Sequence, residues 1–214
     1  MKPLLVATTN PAKLDEYRLL LRDYDLAPVS LREAGVGDDA PEETGATFIE
    51  NALLKARFYF ARANLPTIAD DGGLVVDALG GEPGVRSHRW LAGADAVTAS
   101  HGDLDRALAD EVIRRMAGVE PARRAARLCA ATALVFHQHG RTHERVSEAA
   151  LEGVIADRVW PRMRAGFPYR AVLFLPGRGC YLGELSDEDA ARLSQRRVAL
   201  EDLRADLMQI AGSH

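Results

Sequence analysis

The sequence predicts an α/β fold built on a mixed β-sheet flanked by helices. Three observations point there. Short apolar runs alternate with helical periodicity in the first third of the chain, as in strands joined by crossover helices. Strand-like segments cluster later, and two long ones are separated by little more than His139-Gly140, a hairpin signal. The composition is that of an ordinary globular chain, with 214 residues, 47% hydrophobic and 27% charged.

The elements follow in order. Residues 4–9, LLVATT, read as a short buried strand. Asn10 suits a helix N-cap and Pro11 the first helical position, ahead of an apolar stripe. DLAPVS is a second strand. TFIENALLKARFYFARAN carries the best helical signal, with Thr47 and Glu50 spaced as a capping box and Phe48, Ala52, Leu53, Ala56 and Phe60 on one face. PTIAD and LVVDAL read as strands flanking an acidic turn, and a Gly/Pro-rich loop spans residues 80–93. A helix runs over 103–118, ending at Gly118. The hairpin strands cover 126–138 and 142–155, RAVLFLP is a further strand, and helices close the chain at about 187–194 and 197–210. No linker or repeat divides the sequence, so residues 1–214 are expected to form one domain.

Charge and composition narrow the partners. The net charge of −4 gives no basic field, so no specific nucleic acid is expected. No apolar run spans a membrane, and the N-terminus lacks the apolar core of a signal peptide. Two cysteines, Cys129 and Cys180, fit reduced thiols in a cytoplasmic protein.

Three segments carry chemistry. In ATTNPAK a strand runs directly into a helix N-terminus, whose free N–H groups and dipole attract anions. Thr8, Thr9 and Asn10 add neutral donors and Lys13 a charge; the same residues also read as an ordinary cap with a solvated lysine. In PEETGATFIENALLKA, Glu42 and Glu43 precede the strong helix, on which Asn51 and Lys55 share a face. The alternative is a charged helix flank. In PTIADDGGLVVDALGG, paired acids Asp70 and Asp71 followed by Gly72 and Gly73 suit a divalent cation and an activated water, or else a common acidic turn.

Together with GGEPGVRSHRW and the late ELSDEDAARLSQRRVAL, these segments resemble the inosine/xanthosine triphosphate pyrophosphatase family. The resemblance is dense over residues 4–93 and patchy beyond. It implies a long twisted sheet in two lobes with a cleft between them, a homodimer, and Mg2+-dependent cleavage of non-standard purine nucleoside triphosphates to monophosphate and pyrophosphate. It implies that Thr8 to Lys13 hold the triphosphate and that Lys55 contacts phosphate. Glu43, with Glu42, binds the metal. Asp71 is the metal-linked general base, with Asp70 beside it, and Arg89 matches an arginine of the following loop.

The base-binding half departs from the family. Gly72 stands where a serine is usual. The family's Gly-Phe-Gly-Tyr/Trp-Asp-Pro becomes GFPYRA, keeping Phe167 and Tyr169 as a stacking platform but placing Arg170 where the acid stood. The Ser-His-Arg triplet becomes Ser194, Gln195 and Arg196, and an expected lysine falls on Ala190. An arginine donates only, so it cannot accept from a purine ring N–H. Arg170 and Arg196, with Gln195, then suit a base face rich in acceptors. A shifted base preference, a weak generalist, an enzyme for a non-purine or pathway-specific nucleotide, and a non-catalytic nucleotide-binding relative all remain open. His137, His139 and His143 at the hairpin lack a further ligand and are not taken as a metal site. Trp90 and Trp160 are read as packing residues.

Overall fold

Strand β1 (Lys2–Val6) leads into helix α1 (Pro11–Leu20), the first crossover of the sheet. Asn10 caps α1 as expected: its Oδ1 accepts from the N–H groups of Ala12 and Lys13. The computed structural model describes residues 1–37, 39–91 and 101–212. Strand β2 (Leu26–Val29) pairs in parallel with β1 and forms the sheet edge, where Pro28 is tolerated. Helix α2 (Phe48–Ala63) begins at the capping box read from the sequence and ends at Asn64 in a left-handed conformation.

Strand β3 (Thr67–Val76) corrects one expectation. Two strands around an acidic turn are instead one ten-residue strand running through Asp70, Asp71, Gly72 and Gly73. Gly73 serves close approach rather than a bend. A Cβ on Gly73 would lie 1.9 Å from Ser87 Oγ, which accepts from Leu74 N and donates to Gly84 O. Successive strand residues face opposite sides, so Asp70 and Asp71 part company.

Helix α3 (His101–Arg115) precedes the long strands β4 (Ala125–Gln138) and β5 (Arg141–Ile155). His139 and Gly140 join them, both with positive φ, the two-residue turn suited to strand twist. The RAVLFLP strand shrinks to β6 (Leu173–Leu175), because Pro168–Ala171 form a short helical turn. A two-residue strand β7 (Cys180–Tyr181) follows, without a sequence signal. The last expected helices are α4 (Asp187–Leu193), then α5 (Gln195–Asp202) and α6 (Arg204–Gly212), separated at Leu203. Residues 92 and 93 of the expected loop lie outside the described residues. Among the described residues the seven strands take the order β2-β1-β3-β4-β5-β6-β7, with β1 parallel to β2 and β3, and β6 antiparallel to β5 and β7. The sheet is mixed, as expected.

The chain divides into two compact units. The first comprises Met1–Asp71, Ala130–Ala149 and Ser194–His214. Its core gathers Leu4, Tyr17, Ile68, Leu134, Phe136 and Leu207. The second comprises Gly72–Cys129 and Ala150–Leu193, around Leu74, Leu108, Val112, Met116 and Leu173. No described helix is long and apolar enough to cross a membrane.

Candidate active site

The first unit holds two clusters of charge, one half-buried and one buried. On α2, Asn51 and Lys55 lie one turn apart on the same face. Lys55 Nζ donates to Glu43 Oε1 at 2.8 Å and to Asp71 Oδ1 at 3.1 Å. Two carboxylates thus converge on one cation. Burial alone would lower the Lys55 ammonium, but Asp71 and Glu43 outweigh it and raise it, so the lysine stays charged. Burial raises the Asp71 carboxyl; Lys55 pulls it down, Glu43 pushes it up, and the net shift is upward. A raised carboxyl is a better proton acceptor than an ordinary aspartate.

The second cluster forms on the other side of β3. Asp70 Oδ2 accepts from Arg196 Nε at 3.0 Å and Nη2 at 2.8 Å, and meets Lys13 Nζ at 3.1 Å. Arg196 Nη1 also donates to Glu16 Oε2 at 3.3 Å. Burial would raise the Asp70 carboxyl, yet Arg196 and Lys13 hold it well below the usual carboxylate range. Lys13 is drawn below its ordinary value by burial, against the pull of Asp70. Asp70 Oδ1 is buried without a hydrogen-bond partner among the described residues.

These placements sort the residues named from the sequence. Lys13, Lys55, Glu43, Asp70 and Asp71 gather in the first unit. Asp70 was expected at the metal; its Oδ2 meets two cations, Arg196 and Lys13. Glu42 is exposed and lines an open groove with Pro41, Thr44, Leu54 and Phe58, whereas Glu43 turns inward, so Glu43 alone of the pair meets Lys55. Thr8 and Asn10 are half-buried and Thr9 is exposed at the start of α1, and Thr8 Oγ1 accepts from Asn10 N. Arg196 was expected at the base edge; its guanidinium is spent on Asp70 and Glu16. Gln195 is buried at the first position of α5, behind Ser194, whose Oγ accepts from Arg196 N. Gly72 follows Asp71 within β3.

The aromatic platform lies in the second unit and is partly used up. Tyr169 is buried, and its hydroxyl donates to Ser87 O, so it ties down the 80–91 loop instead of offering a stacking face. Arg170 is also buried, with its guanidinium 3.8 Å from the centroid of the Phe167 ring. At the hairpin, His137 packs edge-on against Phe60 of α2, while His143 stacks on Phe136. Adjacent β4 positions face opposite sides, so these two histidines are held apart.

Sequence reasoning passed over Glu16 and Ser87 and gave Asn51 no role. Glu16 had a signal: an acid one turn beyond Lys13 on the buried side of α1. Ser87 had none beyond its Gly/Pro-rich setting.

The donor set suits a small hard cation. Glu43 and Asp71 supply two carboxylate oxygens converging on one cationic position, and Mg2+ is ordinarily held by one or two carboxylates, substrate phosphates and water. No group of three or more His, Cys, Asp or Glu gathers among the described residues.

Comparison with known proteins places the chain as a whole. The sequence profile of the Ham1 family matches residues 4–206. A dITP/XTP pyrophosphatase of Xanthomonas campestris pv. campestris (strain 8004) is 39% identical over 207 residues, 97% of this chain and 98% of the relative. One from Geobacillus kaustophilus (strain HTA426) is 40% identical over 214 residues, 99% of this chain and 97% of the relative. The solved structure of a HAM1 protein from Coxiella burnetii has a TM-score of 0.78 at 30% identity, covering 98% of this chain and 100% of its own. The resemblance drawn from the motifs thus extends over nearly the whole length, and the chain belongs to the Ham1 family.

Proposed function

We propose that this chain hydrolyses non-standard purine nucleoside triphosphates, of the dITP and XTP kind for which its relatives are named, to nucleoside monophosphate and pyrophosphate. One observation carries the reading: the half-buried convergence of Glu43 and Asp71 on Lys55. Phosphoryl chemistry needs metal-binding carboxylates and a cation together, and this cluster supplies both.

In this mechanism water attacks the α-phosphorus and the α–β bridge breaks. Asp71 positions that water and accepts its proton, helped by the upward shift of its carboxyl. Lys55 offers a phosphate oxygen its ammonium, and Lys13 with the N-terminus of α1 offsets charge along the triphosphate. Pyrophosphate departs with the bridging oxygen. Glu43 and Asp71 would hold Mg2+, which when bound supplies positive charge to the phosphates and acidifies a bound water.

The reading takes residues 1–214 as one functional domain, homodimeric as the motif resemblance implies, and cytoplasmic as the two reduced cysteines suggest. Its test is a panel of dITP, XTP, dGTP and dATP, with Mg2+ or with EDTA, pyrophosphate and orthophosphate being measured separately. Mg2+-dependent pyrophosphate release, strongest from dITP and XTP, is expected. Orthophosphate as first product, or equal cleavage of dATP, contradicts the reading.

A further inference from the structure

We infer that Asn51 is a positioning residue that sets Glu43 and Asp71 in register with each other. Asn51 is wholly buried on α2, among the apolar residues of its inner face. Its amide is used on both sides. Gly45 N donates to Asn51 Oδ1 at 2.8 Å, while Asn51 Nδ2 donates to Asp71 Oδ2 at 3.3 Å and to Gly45 O at 3.4 Å. The orientation follows from chemistry: a backbone N–H only donates, so the amide oxygen must face Gly45 and the amide nitrogen must face Asp71.

Gly45 lies two residues after Glu43. The intervening segment is pinned to the first turn of α2 by a second residue, since Glu50 Oε2 accepts from Ala46 N and Thr47 N. Glu50 fixes the helix end of the segment, and Asn51 fixes the end nearer Glu43. Asp71 is held through both oxygens, Oδ2 by Asn51 and Oδ1 by Lys55. One amide therefore joins the loop bearing one carboxylate to the strand bearing the other. Gly45 is required for that contact, because a Cβ there would stand 2.6 Å from Asn51 Oδ1 and 2.7 Å from Glu50 Cβ. These side-chain bonds carry the effect of Asn51 on the reaction to Glu43 and Asp71. Outer partners of this kind commonly alter activity by about 10–100-fold when removed.

The inference rests on the proposed pyrophosphohydrolase reading, and its test separates the two. Asn51→Ala removes both arms. Asn51→Asp keeps an oxygen for Gly45 N but turns an acceptor toward Asp71. Hydrogen exchange across residues 43–47 reads the loop arm without any nucleotide. In Asn51→Ala this segment should exchange about tenfold faster or more, with the later turns of α2 still protected. In Asn51→Asp protection should persist while kcat falls about 10–100-fold and KM stays within about threefold, the pattern of a lost transition-state arrangement. Should Asn51→Asp not fold, Gly45→Ala is measured in its place, and both faster exchange and the same fall in kcat are expected. Unchanged exchange in Asn51→Ala overturns the loop arm, and wild-type kcat in Asn51→Asp overturns the Asp71 arm. A wild-type protein that releases no pyrophosphate sinks the functional reading instead, and unchanged exchange in Asn51→Ala still overturns the inference through its loop arm.

Discussion

Replacing Arg196 with methionine tests whether this arginine serves the fold or the base. The buried cluster contains two carboxylates, Asp70 and Glu16, and two cations, Lys13 and Arg196. It is neutral as built. Arg196→Met leaves one uncompensated negative charge in a place where all four side chains are at least nine-tenths buried. Breaking a buried pair in this way costs about 3–5 kcal/mol. For a chain of this length that corresponds to a fall in Tm of roughly 6–20 °C. Asp70→Asn added to Arg196→Met restores neutrality, so the double variant should recover at least half of the loss. The pH dependence has a definite sign. In the wild type Asp70 is held below its unfolded value, so its contribution is full above about pH 4 and fades as pH falls further. Without Arg196 the excess carboxylate is easier to protonate in the folded state, so the deficit of Arg196→Met should be largest near pH 7 and shrink toward pH 4. Urea denaturation of the single and double variants at both pH values gives these differences. A loss below about 1 kcal/mol at pH 7, or no recovery in the double variant, refutes the reasoning and returns Arg196 to the base edge.

Asp71→Asn keeps shape but loses charge and basicity; turnover should fall about a hundredfold or more with an unchanged far-UV spectrum, as steady-state kinetics will read. Lys55→Ala leaves Glu43 and Asp71 facing each other without their shared cation, so Mn2+ should bind at least as tightly by titration calorimetry while kcat/KM for the triphosphate drops. Tyr169→Phe removes one buried hydrogen bond, to Ser87 O, and should cost about 1 kcal/mol in denaturant without changing the ranking of nucleotide substrates.

Much of the fold was readable because local chemistry and long-range packing agree. The caps of α1 and α2 and the His139-Gly140 turn are where the sequence put them, and each is decided by neighbours in the chain. Strand β3 was not readable as one element. Two acids and two glycines spell a turn locally, and only the approach of Ser87, a residue well downstream, explains why Gly73 continues the strand. The charged site divides along the same line. Lys55 and Asn51 share a helix face by periodicity alone. The use of Arg196 is hidden from any local pattern, because its partners Asp70 and Glu16 lie 126 and 180 residues away in sequence. Tyr169 and Arg170 keep the aromatic and basic character read from the motif, but burial assigns them to Ser87 and Phe167.

In the proposed reaction Asp71 directs water to the α-phosphorus, with Glu43, Lys55 and Lys13 around it. The most direct measurement is turnover of dITP with Mg2+ in water enriched in 18O, followed by mass spectrometry of both products. The account predicts one 18O in the nucleoside monophosphate and none in pyrophosphate, with the labelled product largely absent for Asp71→Asn. Label in pyrophosphate would place the attack on the β-phosphorus, and undiminished labelling by Asp71→Asn would place the base elsewhere; either result contradicts the account.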